Sequence, residues 1–76
     1  MSELEWIDIF GDNLLDMLRE NKMSQRELAD ATGLAESAIS NYIHKRRAPN
    51  FKAIVNIAYA MNCSMDELID FGDQID

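Results

Sequence analysis

Residues 24 to 33 read SQRELADATG, and no other stretch limits the fold as sharply. Ser24 is followed three residues on by Glu27, the spacing at which each side chain satisfies the other's backbone N–H at a helix start. Gly33 follows Ala31 and Thr32 and can take the left-handed conformation that closes the helix. A start and a stop so close together leave room only for a short helix. The rest of the chain is punctuated in the same way.

Ahead of this stretch, Ile7 to Asn21 sets Ile7, Phe10, Leu14, Met17 and Leu18 at helical spacing. Asp8, Asp12, Asp16 and Glu20 recur every fourth residue on another face, which should be acidic and solvated. Behind it, a third helix is expected from Ala35 or Glu36 to about His44. KRRAPN then forms a basic loop broken by Pro49, and Asn50 stands ready to cap a fourth helix, FKAIVNIAYAM. Phe51, Ile54, Val55, Ile57, Ala58 and Met61 make that helix apolar over most of its circumference, which suits the centre of a bundle. Ser64 and Glu67 repeat the capping signature for a short fifth helix, with Met65, Leu68 and Ile69 turned inward. Gly72 is expected to end it, ahead of a frayed acidic tail. No run reads better as a strand. The expected fold is all-α, a compact bundle of about five short helices in one domain spanning residues 1–76, with its core at about 7–71.

Composition narrows the function classes. A chain of 76 residues with a 47% hydrophobic share can build one small globular domain. The single Cys63 excludes an intramolecular disulfide and a multi-thiolate metal centre, and reads as a small core or half-buried residue. A lone thiol suits a reducing cytoplasm. No apolar run approaches the roughly 18 residues of a membrane span, and the N-terminus is acidic where a secretory signal starts basic. His44 has no nucleophile or carboxylate placed to work with it, and no glycine loop is built to cradle phosphates. No enzyme, metal or cofactor is therefore expected.

The third helix carries the functional signal. At about 100° per residue, Glu36, Ser37, Ser40, Asn41 and His44 fall on one stripe, and Ala35, Ala38, Ile39, Tyr42 and Ile43 on nearly the opposite one. The polar stripe is made of short and medium hydrogen-bonding groups, the kind that reach base edges in a major groove. Lys45, Arg46, Arg47 and Lys52 follow directly, with no acid among them. Ser24 and Gln25 would sit at the N-terminus of the second helix, where free N–H groups favour a phosphate. Two short helices joined by a glycine turn, a polar face and a basic rim are the parts of a helix-turn-helix.

These residues also carry a resemblance. Ser24-Gln25, Glu27-Leu28-Ala29, Gly33, Ile39-Ser40, Arg46-Arg47 to Pro49, Ile57-Ala58 and Ser64 to Leu68 together resemble the phage-repressor and Cro-like (XRE-type) helix-turn-helix domains. The likeness spans about Phe10 to Leu68 and implies a lambda-repressor-like fold with the helix-turn-helix at helices two and three. Carried over by position, it implies base contacts from Glu36, Ser37, Ser40 and Asn41, and phosphate contacts from Gln25, Lys45, Arg46, Arg47 and Asn50. Asn41 can hold an adenine edge with two hydrogen bonds, and Glu36 can accept from a cytosine amino group. Lys45 stands where the family usually has glycine, so either the lysine is left-handed or the helix runs on.

A net charge of −7 sits oddly with a DNA binder, but the acids gather in residues 3–20 and 66–76, and the stretch 45–52 is basic. The expected function is a sequence-specific regulator of transcription, a repressor acting as a homodimer on a palindromic double-stranded DNA operator. Candidate dimer residues are Met65, Phe71, Ile75, Trp6 and Ile9, with core or tail packing as the simpler role for each. The alternative is a protein-binding module of antitoxin or anti-repressor type that uses the acidic face of the first helix.

Overall fold

The structure is a computed structural model that describes residues 3–69. It is all-α, with α1 at Glu3–Glu20, α2 at Gln25–Thr32, α3 at Glu36–Ile43, α4 at Phe51–Ala60 and α5 at Met65–Leu68. The expected Gly72 stop and acidic tail lie outside the described residues. α1 begins a turn earlier than the apolar spacing from Ile7 implies. Trp6 explains this, because it stacks edge-on against Phe10 at 6.0 Å and draws the preceding turn into the helix.

Every helix contributes to one core. Phe10 and Leu14 of α1, Leu28 of α2, Ile39 of α3, Ile57 of α4 and Leu68 of α5 are fully buried. Each such side chain contributes about 1.5–3 kcal/mol relative to an exposed one. A second edge-on contact, Phe10 to Tyr42 at 6.1 Å, ties α1 to α3. At that crossing the backbones come close: a Cβ built on Gly11 would lie 2.7 Å from the Tyr42 carbonyl oxygen and 3.1 Å from that of Ile43. Only glycine lets α3 end so near α1.

The helices start and stop by local chemistry. Ser24 and Ser64 each form a reciprocal capping box, with Glu27 and Glu67 respectively. Asn50 caps α4 by accepting from the Ala53 N–H at 2.8 Å. Three of the exits are unusual. Lys22, Lys45 and Asn62 all take positive φ, at 52°, 64° and 54°. After each of them the next N–H reaches five residues back: Met23 to Leu18, Arg46 to Asn41 and Cys63 to Ala58, at 2.9 to 3.0 Å. This is the glycine-type C-cap built without glycine. At Lys45 it settles the alternatives left open by the sequence: α3 stops at Ile43 and the lysine is left-handed.

α4 does not lie at the centre of the bundle. Ala53, Ile54, Ile57 and Ala58 face the core, but Phe51, Val55 and Tyr59 are exposed. Apolar spacing marks where water is avoided and does not say by what.

Candidate nucleic-acid interface

α2 is anchored before the turn begins. The Ser24 hydroxyl accepts from the Glu27 N–H at 3.0 Å, and the Ser24 N–H donates to Glu27 Oε1 at 2.9 Å. That backbone donor, with the hydroxyl second, holds the Glu27 carboxyl below the ordinary carboxylate range. Gln25 is half-buried at the first position of the helix.

The turn between α2 and α3 is closed from both sides. Gly33 is left-handed at φ 76° and donates to the Ala29 carbonyl at 2.9 Å. The Thr32 hydroxyl donates to the Leu28 carbonyl at 2.8 Å and accepts from the Leu34 N–H at 3.2 Å. With Leu34 packed on the core, these bonds fix the angle at which α3 leaves α2.

α3 turns Ile39, Tyr42 and Ile43 inward. Glu36, Ser37 and His44 are exposed, and Ser40 and Asn41 are half-buried on the same side. Ala35, expected on the core side, is exposed, and Ala38 is half-buried. The carboxamide of Asn41 and the side chains of Glu36 and Ser37 have no hydrogen-bond partner among the described residues. His44 Nδ1 lies 2.8 Å from the Ser40 carbonyl and 3.3 Å from the Ser40 hydroxyl; a proton on Nδ1 would satisfy the carbonyl and leave Nε2 for an outside partner.

The basic loop is less uniform than the sequence implies. Arg46 and Arg47 are exposed and form no ion pair among the described residues. Lys45 differs, because its Nζ lies 2.8 Å from Asp12 Oδ1 of α1. The hydrogen bond that Lys45 donates to Asp12 is the largest cause raising the lysine above its ordinary pKa, and the charge of Asp8 adds to it. The acidic stripe is therefore not wholly remote from the basic loop: Asp8, Asp12, Asp16 and Glu20 are exposed as expected, but Asp12 borders it. Asn50 uses its carbonyl oxygen as the α4 cap, which leaves its amide hydrogens as donors.

Elsewhere, a shallow groove of about 350 Å³ lies between the ends of α1 and α4 and α5, lined by Met17, Met61, Cys63 and Glu67 among others. The Cys63 thiol is 3.8 Å from Met17 Sδ, and burial pushes its pKa up, which marks a quiet, half-buried thiol. Among the described residues, no group of His, Cys, Asp and Glu is placed to hold a metal ion, and no helix is long and apolar enough to cross a membrane.

Of the expected dimer residues, Trp6 and Met65 pack against the core and Ile9 is half-buried, while Phe71 and Ile75 lie outside the described residues. The sequence reading missed the exposed set on α4. Its signal was there, in the spacing of Phe51, Val55 and Tyr59 four residues apart.

Two short helices locked by a left-handed glycine, the second presenting an unsatisfied polar face beside free arginines, define a helix-turn-helix protein. Residues 14–68 match the helix-turn-helix family, and the chain belongs to it, as the XRE-type resemblance implied. It is 30% identical over 61 residues to the HTH-type transcriptional regulator YqaE of Bacillus subtilis (strain 168). That match covers 80% of this chain and 53% of YqaE, so the chain spans about half the length of that relative. Its fold is similar to the crystal structure of the restriction-modification controller protein C.AhdI from Aeromonas hydrophila, with a TM-score of 0.79 and 26% identity. That likeness covers 82% of this chain and 94% of the other.

Proposed function

We propose that this protein is a sequence-specific double-stranded DNA-binding regulator of transcription, acting as a repressor with α3 in the major groove. The observation that carries the reading is the outward face of α3, where polar groups without internal partners stand next to Arg46 and Arg47. Glu36, Ser37, Ser40 and Asn41 read base edges. Gln25, Arg46, Arg47 and the Asn50 amide hold phosphates and set the register. Lys45 joins them only when its pair with Asp12 opens. Family membership and the name borne by YqaE support the reading. The protein works as a homodimer on a palindromic operator whose half-sites lie about 34 Å apart. It acts in the cytoplasm and has no catalytic role.

The net charge of −7 shapes how it binds. Charges more than about 8 Å from a phosphate are largely screened at physiological salt, so the outer acids of α1 tolerate DNA while lowering non-specific affinity. Specificity then rests on base contacts and on pairing of two copies. Selection from a random duplex library tests this. A palindromic consensus is expected, with Asn41→Ala costing about 1–3 kcal/mol at one base position and Arg46→Ala lowering the salt slope by about 1. Absence of enrichment over scrambled duplex would refute it. The exposed acidic face of α1 favours one other reading, a basic protein partner. Such binding would survive alanine at Arg46 and Arg47, whereas DNA binding would not.

A further inference from the structure

The polar face of α3 ends at His44, an exposed residue that caps the helix and is the single histidine of the chain. Its ring is aimed by the helix it closes. Nδ1 lies 2.8 Å from the Ser40 carbonyl oxygen and 3.3 Å from the Ser40 hydroxyl, one turn back. The same carbonyl accepts from the His44 backbone N–H at 2.9 Å, so main chain and side chain of one residue close on one acceptor. With Nδ1 held there, Nε2 on the far side of the ring is the atom left to meet a partner. Charges of both signs stand around it. Arg46 and Arg47 are exposed in the adjoining loop, and Lys45 is tied at 2.8 Å to Asp12 of α1, with Asp8 one turn before it. α2, the other helix packed on α3, carries Arg26, Asp30 and Glu27, the last bonded to Ser24. Glu36 stands at the opposite end of α3, about 12 Å away along the axis and beyond the roughly 8 Å screening length of physiological salt. Among the described residues His44 itself enters no ion pair.

We propose that His44 is a further DNA contact of α3, donating Nε2–H from the imidazolium to a backbone phosphate beside Arg46 and Arg47, so that binding takes up a proton. The proposal rests on the DNA reading above for its ligand and adds pH as a control on that site. Charge chooses the protonated ring. A carbonyl only accepts, so the Ser40 oxygen is satisfied by a ring with a proton on Nδ1, which both the imidazolium and one neutral tautomer have. In that neutral tautomer Nε2 is a bare lone pair and repels a phosphate oxygen. In the imidazolium it is a second N–H on a positive ring, and such charge-assisted bonds are the stronger kind. With Asp12 met by Lys45 and Glu27 by Ser24, a phosphate held by the arginines brings the negative charge that the open nitrogen lacks. Histidine is the side chain that changes charge near neutral pH, and this chain has one. The sign follows. Below the ordinary histidine range the donor is in place before DNA arrives, and above it the proton must be drawn from solvent, so affinity falls as pH rises.

Fluorescence anisotropy of labelled duplexes, titrated with the 76-residue chain over a salt series at about pH 6 and about pH 8, tests the proposal. Two duplexes serve, the consensus recovered by selection and a scrambled one, since both carry phosphates. Affinity is expected to fall roughly three- to tenfold from the lower pH to the higher, and the salt slope to be steeper at the lower pH by up to about 0.9. His44→Ala should bind weakly and equally at both pH values, whereas His44→Lys, charged at both, should bind tightly and equally. Circular dichroism should show that both variants keep their helices, since His44 is exposed. The one histidine ring signal in the proton NMR spectrum should titrate at higher pH in the duplex complex than in the free chain. Affinity indifferent to pH, or a pH dependence that survives His44→Ala, would overturn the proposal. So would a pH dependence with an unchanged salt slope, which puts Nε2 on a base edge. The two readings fail separately. A His44-dependent pH effect on the scrambled duplex, with no consensus from selection, refutes sequence-specific reading and leaves this contact standing. A consensus binder whose pH profile ignores His44 does the reverse.

Discussion

Replacing Gly11 by alanine sets two physical effects against each other, and the sign of the result shows which governs the α1–α3 crossing. By helix propensity alone, Gly→Ala in mid-helix stabilises by about 0.8–1 kcal/mol. The packing opposes it. The new Cβ would lie 2.7 Å from the Tyr42 carbonyl oxygen and 3.1 Å from that of Ile43. Both are backbone atoms, so relief requires moving the C-terminal turn of α3 by several tenths of an ångström. Overpacking of this kind costs about 1–3 kcal/mol. The expected net effect is a loss of about 1 kcal/mol, which lowers Tm by about 4–8 °C in a domain of this size. Thermal unfolding followed by circular dichroism measures it. The control is Gly33→Ala, where a Cβ meets nothing within 4 Å and the loss comes from the left-handed backbone at φ 76°. Gly11→Ala also shifts α3 against the bundle, so specific DNA binding should weaken beyond its effect on stability. A Gly11→Ala protein that melts higher than wild type would refute the close-approach argument.

Two further outcomes follow from the electrostatics. Asp12→Asn removes the partner of Lys45 and a negative charge beside the basic loop, so duplex affinity should rise several-fold at low salt. The salt slope should steepen by up to about 0.9, and an unchanged slope in a fluorescence titration would show that Lys45 never reaches a phosphate. Glu27→Gln tests the first capping box. The folded carboxyl titrates below its unfolded value, so its stabilisation is present above the unfolded pKa and is lost as pH falls through the folded one. Wild type should therefore outlast the variant in denaturant at neutral pH, and the two should converge as pH falls below the ordinary glutamate range.

How far the sequence carried the fold depended on the kind of signal each residue gives. Ser24 with Glu27, Ser64 with Glu67, and Asn50 marked three helix starts to the residue, because capping is local chemistry between neighbours. The exits of α1, α3 and α4 were harder to see. Their left-handed positions are filled by Lys22, Lys45 and Asn62, and no glycine announces them. The polar stripe of α3 was legible because its inward residues fix which way the rest must point. Long-range facts were not: the pair between Asp12 and Lys45, and the approach of Tyr42 to Gly11, exist only after α1 and α3 have crossed. On α4, periodicity separated apolar from polar but could not tell the arc facing the core from the arc facing outward, since both avoid water.

The side-chain amide of Asn13 donates to the Leu68 carbonyl at 2.8 Å, joining residues 55 apart in sequence. Synthesis gives that bond a place in time. α2 and α3 are neighbours in sequence, so the pair can form as soon as residue 43 has cleared the ribosome. α1 is made first and can pack on α3 through Phe10 and Tyr42, yet the bond from Asn13 waits for α5, where a four-residue helix brings Leu68 into the core and supplies the carbonyl that Asn13 holds. A product truncated after α4 would possess its whole helix-turn-helix and still leave the Leu68 position in the core unfilled. Such a product should therefore open more readily around α1, and be cut there faster, than a chain that includes α5.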